Sequence, residues 1–129
     1  MRDINLIIIH CSDSDYAHHD NVHTIREWHL ERGFSNIGYH YVITKDGKRN
    51  KGRSIGIPGA HAKGFNRNSV GICLTGRHKF SEKQFNSLRV LVNYLNVKYP
   101  DTKGNVIGHC DVSNKTCPNF DYKRVLVNN

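Results

Sequence analysis

An unbroken apolar run, Leu6 to Ile9, stops at the polar His10. Three consecutive isoleucines suit a strand more than a helix. A run that does not alternate with polar residues belongs to a strand covered on both faces. Asn5 to His10 is therefore predicted to be a central strand of a sheet, ending in a polar residue. The run is far too short to span a bilayer.

The other elements are fitted around this strand. Val22, Ile25 and Trp28, with His29 beside them, recur at helical spacing over Val22 to Arg32, and Gly33 supplies a left-handed stop. Trp28 and His29 are read as core. Ile37 to Thr44 is rich in β-branched and aromatic residues, and the "KDGK" after it holds the Asp-Gly pair favoured by tight hairpins, so a polar strand should return from Lys48. The glycine- and asparagine-rich "GIPGAHAKGFNRNS" reads as an irregular loop leading into a strand from Val70 to Thr75. Loops of this length usually carry function.

Ser81 and Gln84 have capping-box spacing, and Phe85, Leu88, Leu91, Val92 and Leu95 form one apolar stripe ending before Pro100. A last short strand is expected from Asn105 to His109, with a loop after it. Strands alternating with helices, with no repeat or linker, predict an α/β chain. It forms a single domain, residues 1–129, with a mixed central β-sheet flanked by helices.

Nineteen Lys and Arg against eleven Asp and Glu give a formal charge of +8, spread along the chain. Such a surface favours polyanions, among them nucleic acid, acidic membranes and the anionic bacterial envelope, or it serves only solubility. No aromatic stacking platform accompanies the charge, so direct nucleic-acid binding is the weakest of these. Met1 to Asp3 lacks the features of a secretory leader. The chain is thus expected to be made in a reducing cytoplasm, where its four cysteines need not pair. Cys11 and Cys73, at or inside apolar strands, read as small buried hydrophobes.

Two His-Cys pairs remain, His10-Cys11 and His109-Cys110, with Cys117 downstream of the second. Neighbouring side chains in a strand point to opposite faces, so neither pair can easily serve one metal together. If the two strand ends lie side by side, the useful set is one residue from each pair plus Cys117. Three such ligands leave a fourth position open for water, as catalytic zinc requires, and imidazole with thiolate favours zinc over magnesium or calcium. Spacing alone leaves open that each histidine is simply packed or exposed.

Four segments in order, "IIIHCS", "GYHYVITKDG", "GAHAKGFNRNSVGICLTG" and "GHCDVSNKTCPNFD", span His10 to Asp121. Together they resemble the type 2 N-acetylmuramoyl-L-alanine amidases, the zinc family that includes small phage lysozymes and the peptidoglycan recognition proteins. The "Lys-x-Cys-Pro" at Lys115 to Pro118 is most similar to the phage lysozymes. The resemblance implies one zinc per chain held by His10, His109 and Cys117, with Tyr39 as the catalytic tyrosine and Lys115 assisting it. It places His61 in a segment that lines the cleft, where substrate contact and loop packing are equal readings. His40 and Tyr41 match no functional position and read as sheet packing.

The implied reaction is hydrolysis of the amide between N-acetylmuramic acid and L-alanine in peptidoglycan. No His-Glu-x-x-His motif points to a thermolysin-like protease. Asp111 and Asp121 could orient a ligand, with surface solvation the plainer role. Cys110, beside a ligand, could compete with Cys117 or oxidise with it. Two other functions stay in view: a peptidoglycan-binding module, and a regulator of an RNA polymerase such as the nearest phage relatives imply. The chain is expected to be a monomer with no membrane partner, acting on the wall after release or export.

Overall fold

A computed structural model describes residues 2–127; Met1, which begins the stretch read for a leader, lies outside the described residues, as do Asn128 and Asn129. The Ile-rich run becomes β1 (Leu6–Cys11), in which Ile7, Ile8 and Ile9 are fully buried. It pairs in parallel with β4 (Ser69–Leu74) on one side and β5 (Val106–Gly108) on the other. Beyond β4 lie β2 (Tyr41–Ile43), also parallel, and the antiparallel β3 (Arg49–Lys51), giving a five-stranded mixed sheet of order β3-β2-β4-β1-β5. β1 is an interior strand, paired on both edges and covered on both faces, as its unbroken hydrophobicity predicts.

Each face of the sheet receives a helix. α2 (Glu82–Lys98) begins at the Ser81–Gln84 capping box and lays Leu88, Leu91, Val92 and Leu95 on Ile7, Ile9, Ile72 and Leu74. Burying four such side chains contributes on the order of 6–12 kcal/mol before the entropy of ordering them is set against it. α1 (Val22–Glu31) covers the other face, where Ile25 packs with Ile37, Val42 and Cys73. Its cap is Asn21, whose side chain accepts from the Thr24 N–H, and Gly33 follows at φ +91°. Among the described residues, no helix is long and apolar enough to cross a membrane.

Two elements differ from the sequence reading. The strand expected over Ile37 to Thr44 is regular only from Tyr41 to Ile43. The carbonyls of Gly38 and Tyr39 instead accept from the N–H groups of Ala60 (3.0 Å) and Arg53 (2.8 Å), so the loop takes up this backbone. The segment after β5, expected as loop throughout, ends in α3 (Tyr122–Val127), which packs on α2. Asp121 supplies its cap by accepting from the Arg124 N–H at 3.2 Å. Cys11 and Cys73 are both buried, as their positions predict.

Candidate active site

Alternation along β1 puts Ile7 and Ile9 under α2 and turns His10 to the α1 face. There it is nearly fully buried at the strand's end, opposite Cys73 in the register with β4. β5 stops at Gly108, and the chain turns into a 3-10 helix over His109–Asp111. The Asp111 carboxylate accepts from the Gly108 N–H at 2.9 Å and from the Tyr122 hydroxyl, which pins the backbone just before His109. Asp111 therefore orients this segment through the main chain. The ring centroids of His10 and His109 come within 4.5 Å.

Cys117 arrives from the following loop. The Cys110 N–H donates to its carbonyl at 2.8 Å, and the Cys11 N–H donates to its sulfur at 2.9 Å. One ligand atom from each of His10, His109 and Cys117 lies within 4.8 Å of the others. Tetrahedral zinc holds nitrogen and sulfur donors about 3.3–3.7 Å apart, so a small contraction would close the set. Nδ1 of His109 is a buried polar atom with no hydrogen-bond partner. An unpaired buried acceptor is costly in a folded protein, and a metal would satisfy it. The donor set and this orphaned nitrogen fit zinc. Cys110 is exposed and does not line the cleft, which separates it from the three donors.

His10, Tyr39, His61, His109, Lys115 and Cys117 all line one cleft of about 930 Å³. Tyr39 sits 5.0 Å from His10 between ring centroids. Burial and the neighbouring Cys73 thiol push its phenol well above the ordinary range, so it stays protonated. Lys115 is exposed on the rim, and its charge, after burial, helps to lower the His109 pKa. Burial, with His61 and His109 nearby, holds His10 well below its ordinary value. Both histidines therefore keep a lone pair at neutral pH. Contact with the Cys11 thiol, and then burial, raise the Cys117 thiol, while the Cys11 N–H opposes this.

His61 lies on the cleft floor with both ring nitrogens facing protein atoms, His10 on one side and Ser69 on the other. Burial and the nearby His40 bring its pKa down to about 3. Trp28 and His29 belong to the core face of α1 and also form a cleft wall; Nδ1 of His29 accepts from the Gly38 N–H at 2.8 Å. His40 is buried outside the cleft lining, bonded to Gly71 and Ile57, and Tyr41 packs at the edge of the α2 core. The sequence reading passed over Ser69, Asn66 and the Cys11 amide. Only the Asn-Arg-Asn-Ser stretch near His61 hinted at a polar loop built to hold a side chain.

Three possible metal donors at the strand ends of a mixed sheet open onto a cleft that also holds a protonated phenol and a lysine, an arrangement suited to an amide-cleaving hydrolase. The chain belongs to the N-acetylmuramoyl-L-alanine amidase family, whose model matches residues 1–120. It is 41% identical over 127 residues to the endolysin of Enterobacteria phage T3, covering 92% of this chain and 82% of the relative. The endolysin of Escherichia phage T7 is 40% identical over the same length and coverage. The N-acetylmuramoyl-L-alanine amidase LysC from Clostridium intestinale superposes with a TM-score of 0.88 at 33% identity, over 98% of this chain and 85% of that one.

Proposed function

We propose that this amidase is a single zinc-dependent catalytic domain that hydrolyses the bond between the lactyl group of N-acetylmuramic acid and the L-alanine of the stem peptide in peptidoglycan. The observation that carries the reading is the convergence of His10, His109 and Cys117 donors within 4.8 Å at the floor of the shared cleft. The endolysin relatives support the cell wall as the place of action. Zinc held by these three residues would supply Lewis acidity at the scissile carbonyl and a water acidified to a pKa of about 7.

The remaining chemistry belongs to the chain. When the carbonyl carbon becomes tetrahedral, negative charge grows on its oxygen. The Lys115 ammonium on the rim can meet that charge, and the Tyr39 phenol can hydrogen-bond either the oxyanion or the attacking water. As the C–N bond breaks, the departing amine of L-alanine must gain a proton, which the phenol can help to pass on. The residues of α1 and of the His61 loop form two walls of this open cleft. His61 contact with substrate there would use ring carbons, because its nitrogens are engaged.

The test is mass spectrometry of soluble products after purified sacculi are incubated with zinc-loaded or chelator-stripped protein. Free stem peptides beginning with L-alanine, released only with metal, are the expected result. Tight binding of one zinc with no release would refute the amidase reading of the site.

A further inference from the structure

A hydrogen-bond series running away from the metal ligands decides which nitrogen of His10 carries its proton. It begins at the Phe65 carbonyl, which can only accept, and Ser69 Oγ lies 2.7 Å from it. The single hydroxyl proton of Ser69 is therefore spent on Phe65. Toward Nε2 of His61, 3.2 Å away, the same oxygen must accept, which places the His61 proton on Nε2. A neutral imidazole carries one N–H, and His61 is bonded to no carboxylate that would favour a second. Its Nδ1 is then a bare acceptor. Nε2 of His10, 2.8 Å from that Nδ1, must be the donor. The lone pair of His10 is left on its own Nδ1.

The surroundings of His61 are built to hold the ring in this role. Asn66 Oδ1 accepts from the N–H groups of both His61 and Ala62 at 2.9 Å, which fixes the backbone that bears the ring. Glycines flank the ring itself. A Cβ at Gly71 would lie 2.6 Å from the His61 Cγ and Cδ2, and one at Gly59 would lie 2.6 Å from Cδ2. Any larger residue at either position would displace the imidazole. A glycine in the middle of the buried β4 weakens a strand, so its presence opposite this ring has a specific steric cause. The His10 and His61 ring centroids lie 4.9 Å apart, with the planes at 87°.

We propose that His61, oriented by Ser69, is a positioning residue that locks His10 in its Nε2–H tautomer and thereby presents Nδ1 to the metal. This rests on the zinc reading given above. Metal-bound histidines usually donate their second N–H to a carboxylate or carbonyl. Here another imidazole is the acceptor, and it can accept only because a hydroxyl at its far side dictates its own tautomer.

The test compares wild type with His61→Phe, which keeps a ring but removes both nitrogens, and with Ser69→Ala, which removes one oxygen. Zinc affinity is measured by chelator competition and the His10 tautomer by nitrogen-15 NMR, with circular dichroism as the control for folding. The expected results are an Nε2–H His10 in wild type and a loss of zinc affinity of roughly 10–100-fold in His61→Phe. Ser69→Ala should lose less affinity and show a mixed His10 tautomer. An Nδ1–H His10 in metal-free wild type, or a folded His61→Phe that binds zinc as tightly as wild type, overturns the proposal. If His61→Phe does not fold, unchanged affinity and an unchanged tautomer in Ser69→Ala overturn it. A wild type that binds no zinc defeats the zinc reading as well, which the affinity measurement separates from failure of the relay alone.

Discussion

The backbone N–H of Cys11 donates to the sulfur of Cys117 at 2.9 Å, joining the end of β1 to a loop 106 residues further along the chain. A backbone donor aimed at sulfur favours thiolate over thiol. It also ties the loop that carries Cys117 to the strand that carries His10. Cys117→Ser keeps the volume and loses the soft donor. The variant is expected to stay folded, to hold less than one zinc by elemental analysis, and to release stem peptides about 10³-fold more slowly, a loss of about 4 kcal/mol in transition-state stabilisation. Full activity would remove Cys117 from the ligand set.

Tyr39 and Lys115 share the cleft but differ in exposure, and their variants should differ accordingly. Tyr39→Phe removes a buried hydroxyl without touching the three donors, so zinc content should be unchanged. Turnover should fall by roughly 10²–10⁴-fold, the usual range for a lost proton-transfer group. Lys115→Ala removes an exposed rim charge that solvent already screens, and a smaller loss in turnover, on the order of 10-fold, is expected. Steady-state release of soluble peptide from sacculi measures both. A Tyr39→Phe enzyme with wild-type turnover would exclude the phenol from the reaction.

Stability should fall on the acid side, and the sign follows from the buried histidines. Burial is the main cause that lowers His40 to about 4 and His61 to about 3, against an ordinary value of 6.5. Because the folded values are depressed, the unfolded chain takes up protons first as pH falls. The stability these rings contribute is complete above 6.5, and it is lost as the pH drops from there toward about 4 for His40 and about 3 for His61. Between pH 7.5 and 5.5 these two alone should cost about 2–3 kcal/mol, and His10 and His29, whose values burial also lowers, add to the loss in the same direction. Urea midpoints of the metal-free protein across that interval give the measurement, and a level profile would contradict it.

How much of this was legible beforehand depended on whether the signal was local. Ile7 to Ile9 announce a doubly covered strand within a few residues, and strand alternation already separates His10 from Cys11. By contrast, α3 is six residues long and follows a stretch dominated by Gly, Asn and Pro. Its cap, Asp121, and its apolar positions Tyr122, Val125 and Leu126 were readable in outline but too few to outweigh the loop composition. The contacts of Ser69 with His61, and of Cys11 with Cys117, are long-range or depend on loop geometry. Nothing in spacing encodes them. The family resemblance located His61 in the cleft, and only the directions of its hydrogen bonds indicate what its nitrogens face.

Gln84 shows the same division inside a single residue. Its spacing from Ser81 predicts a capping box, and both reciprocal bonds are present: the Ser81 N–H donates to Oε1 at 2.9 Å and the Gln84 N–H donates to Ser81 Oγ at 3.0 Å. The sequence does not reveal that the Gln84 side chain is fully buried and that its Nε2 donates to the carbonyls of Ile43 (3.0 Å) and Thr75 (2.8 Å). One amide thus caps α2 and also clasps the ends of β2 and β4. Ser81→Ala should cost about 1 kcal/mol, as for an ordinary cap. Gln84→Ala removes the cap partner, takes the Nε2 donor from the Thr75 carbonyl in the interior and opens a void, while the Ile43 carbonyl keeps the Thr75 N–H at 3.1 Å, so about 2–4 kcal/mol is expected. Denaturant unfolding of the two variants side by side measures the difference. Equal losses would mean that the strand ends recover their hydrogen bonds from water, and that the amide acts only as a cap.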